Sequence, residues 1–196
     1  MVNYPNMKKP SVKTETSNKT KRYTAHRGMS LEEDISLSNE YYLTHNKAVI
    51  YKKPVPVQIV KVDYPRRESA KIVEAYYKVP STTDYNGIYR GKYIDFEAKE
   101  TKAKTFPFQN FHKHQVEHLE KVLYHGGIAF VILAFTMLNE VYLIDASYIV
   151  EAYYHSQRKS ITYDTVKKIG HLIPSGYHPR LDYLSIIDIV YFKEEE

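Results

Sequence analysis

Thr82-Thr83-Asp84-Tyr85-Asn86-Gly87-Ile88-Tyr89-Arg90-Gly91-Lys92-Tyr93-Ile94-Asp95-Phe96-Glu97-Ala98-Lys99 is the most informative stretch of this chain. It reads as two strands joined by a two-residue turn at Arg90-Gly91. With that turn Tyr89 faces Lys92, and counting outward sets Asp84 opposite Glu97. Directly opposed side chains have Cβ atoms roughly 5 Å apart. Two like charges at that distance repel, so a fold gains nothing from the placement without a cation. A bulge at Asn86-Gly87 would slip the register by one.

Strand alternation adds a third group. Glu97 and Lys99 share a face, about 7 Å apart along the strand, while Ile94, Phe96 and Ala98 point to the other side and pack on a core. Asp84, Glu97 and Lys99 therefore stand on one polar face. Paired carboxylates suit a hard divalent cation such as Mg²⁺, which takes oxygen ligands and keeps several waters. A lysine beside them orients or deprotonates a water and stabilises charge on a phosphate. The competing reading is a solvated strand with alternating charges.

The flanking sequence predicts an α/β fold with a mixed sheet. Ser30-Leu31-Glu32-Glu33 is a capping box, and Leu31, Ile35, Ser38 and Tyr42 share one face of a helix over about 31–44. Ala48 to Lys52 reads as a strand. Pro107 starts a second helix, with Phe108, Phe111, Val116, Leu119, Val122 and Leu123 as its apolar stripe and Gly126-Gly127 as its stop. Ile128–Phe135, nearly all apolar, fits a central strand covered on both faces. Glu140–Ile144 follows as a strand, Ala146–His155 as a helix and Tyr183–Tyr191 as a last strand.

The chain has 196 residues, 43% of them hydrophobic, which suits one domain with its own core. It has no Cys, which excludes a disulfide scaffold, a Cys-ligated zinc site and a thiol nucleophile. The longest apolar run, Ile128 to Phe135, is far too short to span a bilayer. The polar, basic start carries no signal-peptide pattern. These features predict a soluble, cytoplasmic protein with no membrane partner. The net charge is +5, and it is unevenly placed. Residues 1–27 hold seven positive side chains and one negative, and read as a disordered basic arm. Residues 53–82 hold six positive against three negative, with four of the nine prolines. Val57 and Ile59 alternate with polar residues, so part of this segment is extended, and it reads as a protrusion with Arg66-Arg67 at its middle. Glu194–Glu196 reads as a frayed acidic end.

Asp84 followed by Glu97-Ala98-Lys99 resembles the PD-(D/E)XK nuclease signature, with Thr83 where the name motif has proline. More closely, the chain resembles the RecU-type Holliday junction resolvases of bacteria. The matching pieces are Arg27-Gly28-Met29-Ser30-Leu31-Glu32, Lys53-Pro54-Val55-Pro56-Val57-Gln58-Ile59-Val60, Ser81 to Gly87, Arg90 to Thr101, and Gln109-Asn110-Phe111-His112. The resemblance covers nearly everything after about residue 27. It implies a restriction-endonuclease-like core, a mixed central sheet flanked by helices, over 28–196. It also implies a stalk inserted at about 53–82, which enters a four-way DNA junction and sets Lys61, Arg66, Arg67 and Lys71 against phosphates. A homodimer would cut two symmetry-related strands. Asp84 and Glu97 would hold Mg²⁺, with Mn²⁺ as a substitute, the Ala98 carbonyl as an extra ligand and Thr83 as a further contact. Lys99 would activate the attacking water. Glu32, from the first helix, and Gln115 would lie near the metal. The RecA recombinase is an implied partner. The rivals are a duplex-cutting restriction or repair nuclease and a non-catalytic DNA-binding regulator of a recombinase.

Two further features are weighed. His114-Gln115-Val116-Glu117-His118 matches the H-x-x-E-H pattern of inverted zinc proteases, but catalytic zinc needs a third protein ligand and none is evident. His112, His114 and His118 therefore read as a polar border of the helix. The 20 Tyr suit strand packing and, alternatively, stacking on unpaired bases; no single Tyr is assigned a role.

Overall fold

The computed structural model describes residues 29–78 and 81–192. The basic arm at 1–27 and the acidic end at 194–196 lie outside the described residues. In chain order the elements are α1 (Leu31–Thr44), β1 (Val49–Lys52), β2 (Val57–Asp63), β3 (Lys71–Tyr77), β4 (Tyr85–Tyr89), β5 (Lys92–Thr101), β6 (Thr105–Pro107), α2 (Lys113–Tyr124), β7 (Ile128–Phe135), β8 (Glu140–Asp145), α3 (Ala146–His155), β9 (Ser160–Thr162), α4 (Tyr163–Ile169), β10 (His171–Leu172) and α5 (Tyr183–Tyr191). Among the described residues no helix is long and apolar enough to cross a membrane.

The central sheet has six strands in the order β1-β4-β5-β7-β8-β10. Only β5 and β7 run parallel within it, and α2 is the crossover that a parallel pair requires. This is the mixed sheet flanked by helices that the sequence predicts. β7 is buried along its whole length, as its unbroken apolar run demands. One face packs under α1 and α5. There Tyr85, Phe96 and Phe130, cross-strand neighbours on β4, β5 and β7, stack at 4.8 and 4.7 Å between ring centroids, with Tyr183 of α5 against them. The other face carries α2, α3 and α4 over Val131, Leu133 and Ile144.

The β4–β5 hairpin positions the candidate site. Its register runs unbroken from Tyr85↔Phe96 to Tyr89↔Lys92, so Asp84 continues it opposite Glu97 and there is no bulge at Asn86-Gly87. Arg90 and Gly91 both have positive φ, 48° and 75°, the conformation of a two-residue hairpin turn that follows strand twist. Gly87 serves a different end. A Cβ there would lie 2.1 Å from the Val49 carbonyl oxygen, so only glycine lets β1 pair this closely with β4. The Ser30/Glu33 capping box forms as predicted: Glu33 N–H donates to Ser30 Oγ, and Ser30 N–H donates to Glu33 Oε2.

Two elements correct the sequence reading. Tyr183–Tyr191 is a helix, not a strand. Its Tyr, Ile and Val content favours a strand, but Tyr183, Leu184, Ile186 and Ile187 are buried at helical spacing, which closes one layer of the core. Pro107 ends the short strand β6, which pairs with β9, rather than starting a helix. A 3₁₀ turn over Phe108–Asn110 follows, and α2 begins only at Lys113. Phe108 and Phe111 still reach the core beside Val116 and Leu119, so the apolar stripe survives although its first third is not helical.

Residues 57–77 form a separate antiparallel ribbon. Among the described residues β2 and β3 pair only with each other, and every position of both strands is exposed. The register shifts on either side of Lys61, the bulging that bends and twists a ribbon.

Candidate active site

Alternation along β5 sends Tyr93, Asp95, Glu97 and Lys99 to the face crossed by α2. The helix runs against the strand direction, so Gln115 meets Glu97 and, a turn later, His118 meets Asp95. Glu97 is fully buried. Its Oε1 accepts from Lys99 Nζ at 2.7 Å and from Gln115 Nε2 at 2.6 Å. The Gln115 amide is itself held by His112 N–H, which donates to Gln115 Oε1 at 3.0 Å. Glu97 Oε2, equally buried, meets no hydrogen-bond donor among the described residues, and the neighbour it faces is the Asp84 carboxylate.

Burial, and then the charge of Asp84, push the Glu97 carboxyl up to about 8, against the pull of Lys99. An unpartnered buried carboxylate oxygen is costly, and a second carboxylate beside it compounds the cost. A cation between Asp84 and Glu97 removes both penalties, so the donor set fits a metal. Among the described residues no group of three or more His, Asp or Glu side chains gathers to hold one. What Asp84 and Glu97 offer at this point is a pair of hard oxygen donors, the ligand type that suits a divalent cation that keeps several waters.

A second polar cluster adjoins the first, and its centre is Asp95, which the sequence reading passed over. Asp95 is fully buried. Its Oδ2 accepts from Lys53 Nζ and Tyr93 Oη, both at 2.7 Å, and meets His118 Nε2 at 3.0 Å; its Oδ1 accepts from the Thr83 hydroxyl. Burial alone would raise this carboxyl, but the hydrogen bonds of His118, Lys53, Thr83 and Tyr93 together hold it below the usual carboxylate range. Lys53 is drawn in from the end of β1, where its N–H also donates to the Asp84 carbonyl at 2.7 Å. The position of Asp95, two residues before Glu97, was the available signal; Lys53 and His118 had none, being 42 and 23 residues away in sequence.

The structure thus brings Asp84, Glu97, Lys99 and Gln115 together. Thr83 departs from the expected metal contact: its hydroxyl donates to Asp95 and accepts from Lys53 at 2.9 Å, so it belongs to the second cluster. Glu32 stands in the first turn of α1, exposed, with its carboxylate on Lys52 Nζ. After burial, its charge is the next cause of the raised Tyr85 hydroxyl, so it borders the site without joining the carboxylate pair. Lys61, Arg66, Arg67 and Lys71 all lie on the ribbon: Lys61 is opposite Glu74, Lys71 is opposite Asp63, and Arg66-Arg67 are at the tip. The three histidines near the H-x-x-E-H stretch do not converge. His118 serves Asp95, while the His112 and His114 rings stack at 5.5 Å.

A family model described as Recombination protein U, RecU, matches residues 26–189. The chain belongs to the RecU family. Relatives named Holliday junction resolvase RecU are similar over almost their whole length. That of Bacillus cytotoxicus is 55% identical over 197 residues, covering 97% of this chain and 98% of its own. That of Bacillus cereus (strain B4264) is 56% identical over 199 residues with the same coverage. Among solved structures, the Holliday junction resolvase Hjc of Archaeoglobus fulgidus aligns with a TM-score of 0.44 at 13% identity, covering 72% of this chain and 92% of that one. The span matched to RecU takes in the ribbon, both carboxylates and the Asp95 cluster.

Proposed function

We propose that this protein is a Holliday junction resolvase: a metal-dependent endonuclease that acts as a homodimer and nicks two symmetry-related strands of a four-way DNA junction. The observation that carries the reading is Glu97, fully buried with one oxygen unpartnered, beside Asp84 and held by Lys99 and Gln115. The near-full-length likeness to resolvases supports it.

Asp84, Glu97 and the Ala98 carbonyl would hold Mg²⁺, or Mn²⁺ in its place. The bound ion supplies Lewis-acid polarisation of the phosphate and a more acidic water. Gln115 fixes the Glu97 carboxylate so that its open oxygen stays free for the ion. Lys99 positions the attacking water and balances negative charge as it builds on the phosphate. Water adds at phosphorus and the bond to the 3′-oxygen breaks, leaving 5′-phosphate and 3′-hydroxyl ends that ligate.

The ribbon is the stalk of this reading. Two strands alone are marginally stable in water, and this pair leaves Ile59, Val60, Ile72, Val73 and Tyr77 exposed. A second copy that covers them supports the dimer, and Lys61, Arg66, Arg67 and Lys71 then meet phosphates at the crossover. Junction choice by such a stalk rests on shape and backbone rather than base edges. A cytoplasmic location, with the RecA recombinase as protein partner, completes the reading and rests on the family. The test is Glu97→Ala. It keeps junction affinity and loses cleavage by at least 100-fold if the carboxylate holds the ion, on the order of the loss from one key electrostatic group. Cleavage at the wild-type rate overturns the site.

A further inference from the structure

Beyond the site, the β5–α2 seam opens into a groove of about 330 Å³ lined by Tyr93, His118, Lys121, Val122, His125 and Gly127. Its floor is bare at Gly127, where a Cβ would come within 2.7 Å of Val122 Cγ1. Two wall residues, Tyr93 and His118, are anchored on Asp95, and Asp95 is tied through Lys53 and Thr83 to the segment that carries Asp84. The groove is therefore rigidly placed relative to the carboxylate pair.

The charge on α2 is segregated around it. Lys121 and His125 are exposed at the groove, and neither side chain has a hydrogen bond or ion pair among the described residues. Glu120 lies toward α3, where burial and then its charge raise the Tyr154 hydroxyl, while Glu117, one turn before Lys121, is paired with Lys113 at 3.2 Å. Asp95, behind the wall, is buried and paired with Lys53. The last carbonyls of α2 are already taken by the N–H groups of His125, Gly126 and Gly127, so the negative end of the helix is capped. What faces the groove is the Lys121 ammonium among aromatic and apolar side chains.

We propose that this groove holds the sugar-phosphate backbone of the DNA arm leaving the active site. A helix rises 1.5 Å per residue, which puts Lys121 and His125 about 9 and 15 Å beyond Gln115. One strand of a duplex presents a phosphate about every 3.4 Å along its axis. The groove therefore meets phosphates about three to four nucleotides from the scissile one. Tyr93 and His118 form its near wall, Lys121 supplies the charge and the His125 ring a hydrogen-bonding group. The contact is independent of the ribbon and of base sequence, and it rests on the reading above that the carboxylate pair marks the cut.

The experiment is the salt dependence of DNA binding by the full chain in EDTA, with Lys121→Ala combined with His125→Ala. Each phosphate neutralised by a cation contributes about 0.9 to the slope of log affinity against log salt, so the double variant should lose about 1 from that slope, through Lys121. A single methylphosphonate at the third or fourth phosphate, tried on each side of the cut, should lower the wild-type slope by about 1 on one side and leave the variant unchanged. Glu120→Gln, on the α3 side, should keep the wild-type slope. An unchanged slope in the double variant, or a variant as sensitive to the methylphosphonate as wild type, overturns the groove. A slope change as large in Glu120→Gln also overturns it, because net charge alone would then account for the effect. Wild-type cleavage in Mg²⁺ separates the two claims. With cleavage present and slopes unchanged, only the groove fails. With cleavage absent, the resolvase reading fails, and the slope difference on duplex DNA still decides the groove.

Discussion

Glu97 and Asp95 are two buried carboxylates on one face of one strand, two residues apart, in opposite states. Asp95 is ringed by donors and stays ionised; Glu97 has two donors on one oxygen, none on the other, and an acid for a neighbour. The difference has a consequence for stability. Glu97's folded pKa, about 8, lies above its ordinary 4.5, so the folded protein binds more protons than the unfolded chain between those values. Without metal, stability is then expected to fall as pH rises from about 4.5 to about 8. Added Mg²⁺ should restore more at pH 8 than at pH 5, because the ligand must be deprotonated. Thermal melts at both pH values, with and without Mg²⁺, check this, and Glu97→Gln should flatten both dependences. Asp95→Ala should act through Lys53, left as a partly buried cation without its partner. We expect a loss on the order of 3 kcal/mol by denaturant titration. Asp84, Glu97 and Lys99 were legible in the sequence because alternation places them. Apart from Tyr93, the partners of Asp95 were not, because Lys53, Thr83 and His118 arrive from three other segments that only the folded chain brings together.

At the scale of elements, the hairpin was the most legible part. Its turn is two residues, its register follows by counting, and the register has no bulge. α5 was not legible, because Ile, Val and Tyr prefer strands locally while its burial pattern is helical; tertiary packing decided. The Pro107 region failed for a related reason. Phe108 and Phe111 fill the same core as α2, so the apolar stripe looked continuous across a turn. The hairpin also yields a prediction. Gly87→Ala would push a methyl onto the Val49 carbonyl, separating β1 from β4 and displacing Lys53 from Asp95. A loss of about 3 kcal/mol, the upper end of ordinary single substitutions, should appear in denaturant melts, with cleavage reduced in the folded fraction. On the ribbon, Arg66→Ala with Arg67→Ala should weaken junction binding and leave the Mg²⁺-dependent rise in melting temperature intact. Unchanged junction affinity would remove the ribbon from the DNA contact.

Across the whole molecule, function follows from how charge is partitioned. The positive surplus of the sequence falls mainly in residues 1–27 and 53–82, while the paired carboxylates lie outside both. A nuclease needs this separation, since a polyanion must be held by cations while the metal that cuts it is held by anions. The fold supplies it with two parts: a six-stranded sheet whose β5 face carries the carboxylates, and an exposed ribbon that carries Lys61, Arg66, Arg67 and Lys71. A restriction or repair nuclease would need only the first part. Relatives named Holliday junction resolvase RecU point to a branched substrate, so the most direct measurement is cleavage of a labelled four-way junction against a duplex of matched sequence, with and without Mg²⁺. The account predicts paired, symmetrical nicks in the junction only when Mg²⁺ is present, and at least tenfold slower cutting of the duplex. Equal cutting of duplex and junction, or no nicking of the junction with either Mg²⁺ or Mn²⁺, would contradict it.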